Sequence, residues 1–277
     1  MPHRAKFRHI DAFAAAPFEG NSAAIYRADS FPDDDLMQRI AREHNLSETA
    51  WYVPDSSGEA DFVLRWFTPT VEVELCGHAT LAAGHHVLSE EEARQSVRFR
   101  TVKGAGVLEV TKDDNGGDGH YIMSLPAWES QKTVLPALVA ALGRIPAEVR
   151  VTTNAAEDSY LAIFDDEDIV RSLTPDSKAL AAIGNVLVIV TAPAKSGSQV
   201  DVVSRVFAPG AGVDEDPVTG SAHAMLTPYW TERLERDSFK AYQASERGGY
   251  ISCRRDGDRA VLGGSCVDVI AGEVILP

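Results

Sequence analysis

The chain has 277 residues, of which 44% are hydrophobic and 24% charged, with a formal net charge of −15 and three cysteines. That length suits two domains of roughly 130 residues each, and no apolar run approaches the roughly 20 residues that span a bilayer. An acidic surface without a local basic patch excludes nucleic acid as a partner, and an odd number of thiols argues against a disulfide framework.

Phe7 to Phe13 alternates as a strand should, and Ala23 to Tyr26 gives a second short one. Asp33 to His44 opens on acidic residues and sets Leu36, Met37, Ile40 and Ala41 at helical spacing, which predicts an amphipathic helix. Thr49 to Val53 and Phe62 to Phe67 are strand-like, being rich in aromatic and β-branched residues. Gly77 to Leu88 is a small-residue helix, apolar nearly all round, and such a helix belongs inside a domain. Val107 to Lys112 and Tyr121 to Leu125 flank the loop signal Asp113 to Gly119 and predict a hairpin.

Pro126 follows, and the domain switch is placed there, giving domains over 1–126 and 127–277. The second half repeats the style. A helix is expected near Leu135–Leu142, strands near Val149–Thr153 and Tyr160–Phe164, and helices near Asp168–Leu173 and Asp176–Ile183. Strands follow at Val186–Ala192 and Val200–Phe207, then a helix from Ser221 that should kink or restart at Pro228. Four short strands are expected within Phe239 to Ile275, and the last, 267–277, is free to complete the first domain.

Two segments look like versions of one another: Glu74-Leu-Cys-Gly-His-Ala-Thr-Leu81 and Asp216-Pro-Val-Thr-Gly-Ser-Ala-His223. Each reads as the end of an extended stretch, a glycine, then small residues opening a helix. Such turns aim unpaired helix-start N–H groups at an anion. Two of them suggest half-molecules that hold a small carboxylate between facing helix ends, so the negative net charge needs no lysine or arginine to offset it at the site.

The residues able to do chemistry lie nearby. Glu48 stands at the mouth of a strand before Trp51 and Tyr52, where desolvation would favour its neutral form and suit it to take and give a proton. On local sequence it reads as readily as a strand-edge or capping glutamate. His78 lies in the first turn of the buried helix, where its charged form is disfavoured and a neutral imidazole is left as donor or relay, or as a satisfied structural group. His85, His86 and His223 take the structural reading. Asp216, before Pro217, could bind a substrate amine or hydroxyl, or simply form the turn. Gly220 and Ser221 offer backbone N–H groups and a hydroxyl to an anion, or act as a plain cap. Cys76, beside a helix start, could be a low-pKa base. No second thiol lies at the matching turn, so a two-thiol racemase is disfavoured. No HExxH or CxxC spacing supports a metal, and Gly104-Ala-Gly106 fails as a dinucleotide loop because Glu109 replaces the third glycine. The basic start leads straight into a strand with no signal segment, so a cytoplasmic protein is expected.

Several linked segments resemble the PhzF-like (phenazine biosynthesis) family, related in fold to diaminopimelate epimerase. They are Asp11-Ala-Phe…Pro17-Phe-Glu-Gly-Asn-Ser-Ala-Ala24, Ser47-Glu-Thr-Ala-Trp51, Leu64-Arg-Trp-Phe-Thr-Pro69, Glu72-Val-Glu-Leu-Cys-Gly-His-Ala-Thr80 and Glu215-Asp-Pro-Val-Thr-Gly-Ser-Ala222. The resemblance implies an α+β fold of two similar domains, each a β-barrel-like sheet around a central helix, with the active site in the interdomain cleft. It implies a cofactor-independent isomerase, usually a homodimer. In the phenazine enzyme a glutamate moves a proton between ring carbons of trans-2,3-dihydro-3-hydroxyanthranilate. Carried over, that glutamate is Glu48, with His78 and Asp216 orienting the substrate and Gly77, Gly220 and Ser221 holding its carboxylate. A Cys76-dependent epimerase and a non-catalytic anion-binding protein are the rival readings.

Overall fold

A computed structural model describes residues 4–104, 106–114, 116, 119–153 and 158–276. It divides into two compact units, Met1–Ser124 together with Gly263–Pro277, and Leu125–Leu262. In chain order the first part holds β1 (Arg4–Ala12), β2 (Asn21–Arg27), α1 (Asp34–His44), β3 (Glu48–Pro54), β4 (Phe62–Phe67), β5 (Glu72–Val73), α2 (Gly77–Glu90), β6 (Ser96–Thr101), β7 (Val107–Lys112) and β8 (His120–Pro126). The second holds β9 (Gln131–Lys132), α3 (Pro136–Leu142), β10 (Glu148–Thr153), β11 (Asp158–Ile163), α4 (Glu167–Ser172), α5 (Ser177–Ala181), β12 (Leu187–Pro193) and β13 (Val202–Ala208). It continues with β14 (Val213–Asp216), α6 (Gly220–Leu234), β15 (Ser238–Gln243) and β16 (Gly249–Asp256), before the long β17 (Arg259–Ile275).

In the first unit eight strands each find a neighbour on either side. The order β17–β1–β2–β3–β4–β6–β7–β8 returns to β17, so the strands close into a barrel. Closure removes the exposed edges that an open sheet must otherwise protect. The helix α2 is enclosed: Gly77 through Leu88 are all buried, and it packs against β1, β2, β3, β6 and β7. Its small residues make this possible. A Cβ at Gly84 would sit 2.4 Å from Val110 Cγ1 of β7, so only glycine lets helix and strand approach this closely.

The second unit repeats the pattern strand for strand. β10–β11 is antiparallel, β11–β12 parallel, β12–β13 antiparallel, β13–β15 parallel and β15–β16 antiparallel. The first unit shows the same alternation from β1 to β7, with β5 on β4 where β14 lies on β13. Thus α6 is the counterpart of α2, and its stretch from Ala222 to Pro228 is buried. The chain is α+β, built of two similar domains, each a curved sheet around a central helix.

Three expectations are corrected. α6 runs unbroken through Pro228 to Leu234. Proline removes one N–H, and hydroxyls of the same helix make up part of the local bonding: Thr227 donates to the His223 carbonyl at 2.6 Å and Thr231 to that of Thr227 at 2.8 Å. The tail holds three strands, because 259–275 is one strand and not two. β6 was not foreseen, since Ser96-Val-Arg-Phe-Arg-Thr101 buries only alternate residues between charged ones. Of the expected hairpin loop, residues 115, 117 and 118 lie outside those described.

His223 shows how α6 is tied into its sheet. Its Nδ1 donates to the Thr219 carbonyl at 2.8 Å, which leaves Nε2 to accept from the Ser204 hydroxyl at 3.2 Å. The second bond requires the neutral ring, and burial, outweighing the pull of the Thr219 carbonyl, pushes the pKa down to about 4. A histidine pKa depressed by folding favours protonation of the unfolded chain, so stability is whole above the unfolded pKa near 6.5 and drains as pH falls toward 4. His86, lowered to about 4 by burial, acts in the same direction. Urea midpoints are therefore expected to fall steadily between pH 7 and pH 4.5. His223→Gln should be less stable at neutral pH yet lose less on acidification; equal acid loss in both proteins would refute the assignment.

Candidate active site

Three chain segments meet at one end of the first barrel: the starts of β2, β3 and α2. Because β2 and β3 run parallel, their first residues lie together, with Ala23 opposite Glu48. Alternation along β3 then decides which way Glu48 faces. Residues 48, 50 and 52 share a face, and Tyr52 reaches His86 of α2 at 3.1 Å, so this face looks at the central helix. Trp51 lies on the other face and stacks on Tyr26 at 4.0 Å, within the cluster that holds Met37 and Ile40 of α1. The expectation that Trp51 lines the Glu48 environment is therefore wrong by one residue of strand parity.

What Glu48 meets instead is His78. Glu48 Oε2 and His78 Nε2 stand 3.0 Å apart, with side-chain exposures of 16% and 5%. Both atoms are shut off from solvent, and neither has an aligned hydrogen-bond partner. On the ring's other edge, Nδ1 lies 3.3 Å from Asn21 Nδ2 and 3.5 Å from Cys76 Sγ. An amide nitrogen donates, so Asn21 satisfies Nδ1 of a neutral ring; the sulfur can accept, so Cys76 satisfies Nδ1–H of a charged one. The imidazole thus has a partner in either state.

Electrostatics correct the expectation of a neutral His78. Burial opposes its charge, yet Cys76 and Glu48 beside it outweigh burial and hold its pKa well above the ordinary histidine value. The Cys76 thiol is itself pushed up to about 11, chiefly by burial, so it is protonated near neutrality. Glu48 acts on His78 beside it, through its charge and its approach to Nε2. The same burial removes the expectation that a helix start makes Cys76 a low-pKa base.

Glu48, Cys76 and His78 each offer a ligand atom within 4.8 Å of the others. They are strung along the ring, however, Cys76 at Nδ1 and Glu48 at Nε2, which is the layout of a proton relay more than of a cage around one ion.

The residues expected in the second unit form their own group. Asp216 ends β14 and accepts a very short hydrogen bond from the Thr219 hydroxyl. Gln243 braces the turn, accepting from the Thr219 N–H at 2.9 Å and donating to the Asp216 carbonyl at 2.7 Å. Ser245 donates to the Pro217 carbonyl at 2.7 Å. Neither α2 nor α6 has a side-chain cap, so the first-turn N–H groups of Gly77, Gly220 and Ser221 have no acceptor within their helices. The cap positions are Cys76 and Thr219, which correspond in the repeat.

Asn21 and Gln243 escaped the sequence reading as site residues. For Asn21 a signal was present: a Gly-Asn step opening a strand after a loop. Buried Asp11 supports it, accepting from Ser22 Oγ at 2.5 Å and from the Phe18 N–H at 2.8 Å. His85 and His86 are structural, meeting Tyr121 at 3.0 Å and Tyr52 at 3.1 Å.

Comparison with known proteins now bears on this geometry. The family described as phenazine biosynthesis-like protein matches residues 10–272. The chain belongs to the PhzF-like family. An uncharacterized isomerase of Pseudomonas aeruginosa is 46% identical over 272 residues, 98% of each chain. The crystal structure of a PhzF family protein from Enterococcus faecalis aligns with a TM-score of 0.86 at 39% identity, covering 99% of this chain and 100% of the other. The fold, though not more, is shared with a hydroxyproline epimerase from Agrobacterium vitis, at TM-score 0.64 and 12% identity over 100% and 94% of the chains. In this PhzF-like chain, no helix among the described residues is long and apolar enough to cross a membrane.

Proposed function

We propose that this isomerase moves a proton between carbons of a small carboxylate, with Glu48 as the acid and base and no cofactor. The observation that carries the reading is the Glu48–His78 pair: a carboxylate oxygen and an imidazole nitrogen 3.0 Å apart, both shut off from solvent.

The steps follow from the residues. Glu48 as carboxylate takes a proton from a carbon acidified by a neighbouring unsaturated group. The electron pair left behind spreads into that group, and the same carboxyl returns the proton at another carbon, so nothing is gained or lost overall. His78, with Nε2 beside the carboxylate, donates to substrate or carboxylate as charge shifts. Asp216 orients the substrate, and the N–H groups of Gly77, Gly220 and Ser221 take its carboxylate.

A Cys76-dependent epimerase requires a thiolate, and burial works against one. Cys76→Ala is therefore expected to keep solvent-deuterium incorporation within about tenfold of wild type, a change of no more than about 1.4 kcal/mol in barrier. The assay is mass spectrometry of the ligand that co-purifies, followed by incubation of that ligand with each protein in deuterated water. Complete loss in Cys76→Ala would transfer the acid–base role to the thiol. No incorporation with the wild-type protein would leave a binding protein.

A further inference from the structure

Just ahead of the segments repeated in the two halves stands a residue the mechanism has not used: a glutamate five positions before each helix-start glycine, Glu72 before Gly77 and Glu215 before Gly220. Each is gripped by an arginine at the matching place in the matching strand. Arg65 of β4 donates from Nε to Glu72 Oε1 at 2.7 Å and from Nη2 to Oε2 at 3.0 Å. Arg205 of β13 donates from Nε to Glu215 Oε1 at 2.7 Å and from Nη2 to Oε2 at 2.8 Å. Even the stacking recurs, with Arg65 5.1 Å from the ring of Phe67 and Arg205 5.0 Å from that of Phe207, each two residues on.

In both copies the remaining nitrogen reaches back to the helix before the third strand of the repeat. Arg65 Nη1 meets Asp34 of α1 at 2.8 Å, and Arg205 Nη1 donates to the Leu173 carbonyl, just past α4, at 2.6 Å. Both side chains are largely shielded, at 11% and 12% exposure. A two-pronged arginine–carboxylate pair fixes orientation as well as distance, which a lysine at the same place cannot do.

We propose that Arg65–Glu72 and Arg205–Glu215 are positioning pairs, buckles that set the approach of the chain into each helix start and so aim His78 at Glu48 in one unit and Asp216 with Ser221 in the other. Glu72 precedes His78 by six residues, and Glu215 is the neighbour of Asp216, so slack in either hairpin passes directly to the site. The kinetic arm of the test rests on the isomerase reading above; the spectroscopic arm does not.

The experiment compares wild type, Arg65→Lys, Glu72→Gln and Arg205→Lys, with histidines labelled with carbon-13 and the His78 resonance assigned by its loss in His78→Gln. Arg65→Lys keeps the charge and loses the fork. In it the His78 titration midpoint is expected to move by about one pH unit or more toward the ordinary histidine value, and deuterium incorporation per folded molecule to fall at least about tenfold in kcat with KM little changed. Arg205→Lys should leave the His78 midpoint alone and raise KM. If Arg65→Lys does not fold, Glu72→Gln gives the same reading. Melting temperatures that drop in the variants while the His78 midpoint, kcat and KM stay at wild-type values would reduce the pairs to structural clips and overturn the proposal. A moved midpoint without any exchange activity in wild type would uphold the buckle and reject the isomerase.

Discussion

Glu48→Gln is expected to lower solvent-deuterium incorporation by about 10²–10⁴-fold, the usual worth of a positioned acid–base group, while leaving the fold intact. The amide matches the carboxylate in shape, so Ala23 opposite it on β2 and His78 beside it need not move. It cannot accept a proton from carbon, and it removes the anion that keeps His78 charged. The His78 midpoint should therefore fall in the same variant. Mass spectrometry of the recovered ligand reads the first effect, carbon-13 titration the second, and near-ultraviolet circular dichroism checks the fold. Wild-type exchange in Glu48→Gln would remove this residue from the chemistry whatever His78 does.

A large loss of stability is expected from a single small substitution, Gly20→Ala. Gly20 closes the loop between β1 and β2 with φ at +64°, in the left-handed region, and a Cβ there would lie 2.2 Å from the Ala12 carbonyl oxygen. The conformation alone costs an alanine about 1–2 kcal/mol, and the clash is with main chain that cannot rotate away. A total of at least about 2 kcal/mol follows, which for a protein of this size lowers the melting temperature by about 4–8 °C. Asn21 is the next residue, paired across the strands with Ala12, so relief of the clash also shifts the amide that meets His78. Exchange activity should drop along with the melting temperature. A variant that melts within a degree of wild type would show that the loop is held by other means.

Much of the fold was legible because its signals are local. The aromatic and β-branched residues of Phe62 to Phe67 and the small residues of Gly77 to Leu88 each specify an element, and both elements form there. The misses came where tertiary packing overrides local pattern. Four short strands were expected in the tail, but the last two are one: a Cβ at Gly264 would lie 2.4 Å from Phe13 Cδ1, so that glycine admits a close neighbour within a continuous strand. The site was half legible. Local setting and the family resemblance singled out Glu48, His78 and Asp216 as residues of interest, yet pairing across separate segments is invisible in one dimension. Nothing local says that Asn21 reaches His78, that Gln243 braces Asp216, or that Trp51 turns its back on Glu48.

The stave that seals the first barrel leaves the ribosome only after the second unit has been made. β17 lies between β1 and β8, with Ile10 opposite Asp268 and Ala12 opposite Cys266. Until it emerges, β1 keeps an open edge, and the N-terminal half must wait, unsealed, through synthesis of everything between. Contacts of such sequence separation are slow to form. The order of birth along the chain is therefore not the order of completion: the half made first is the half finished last.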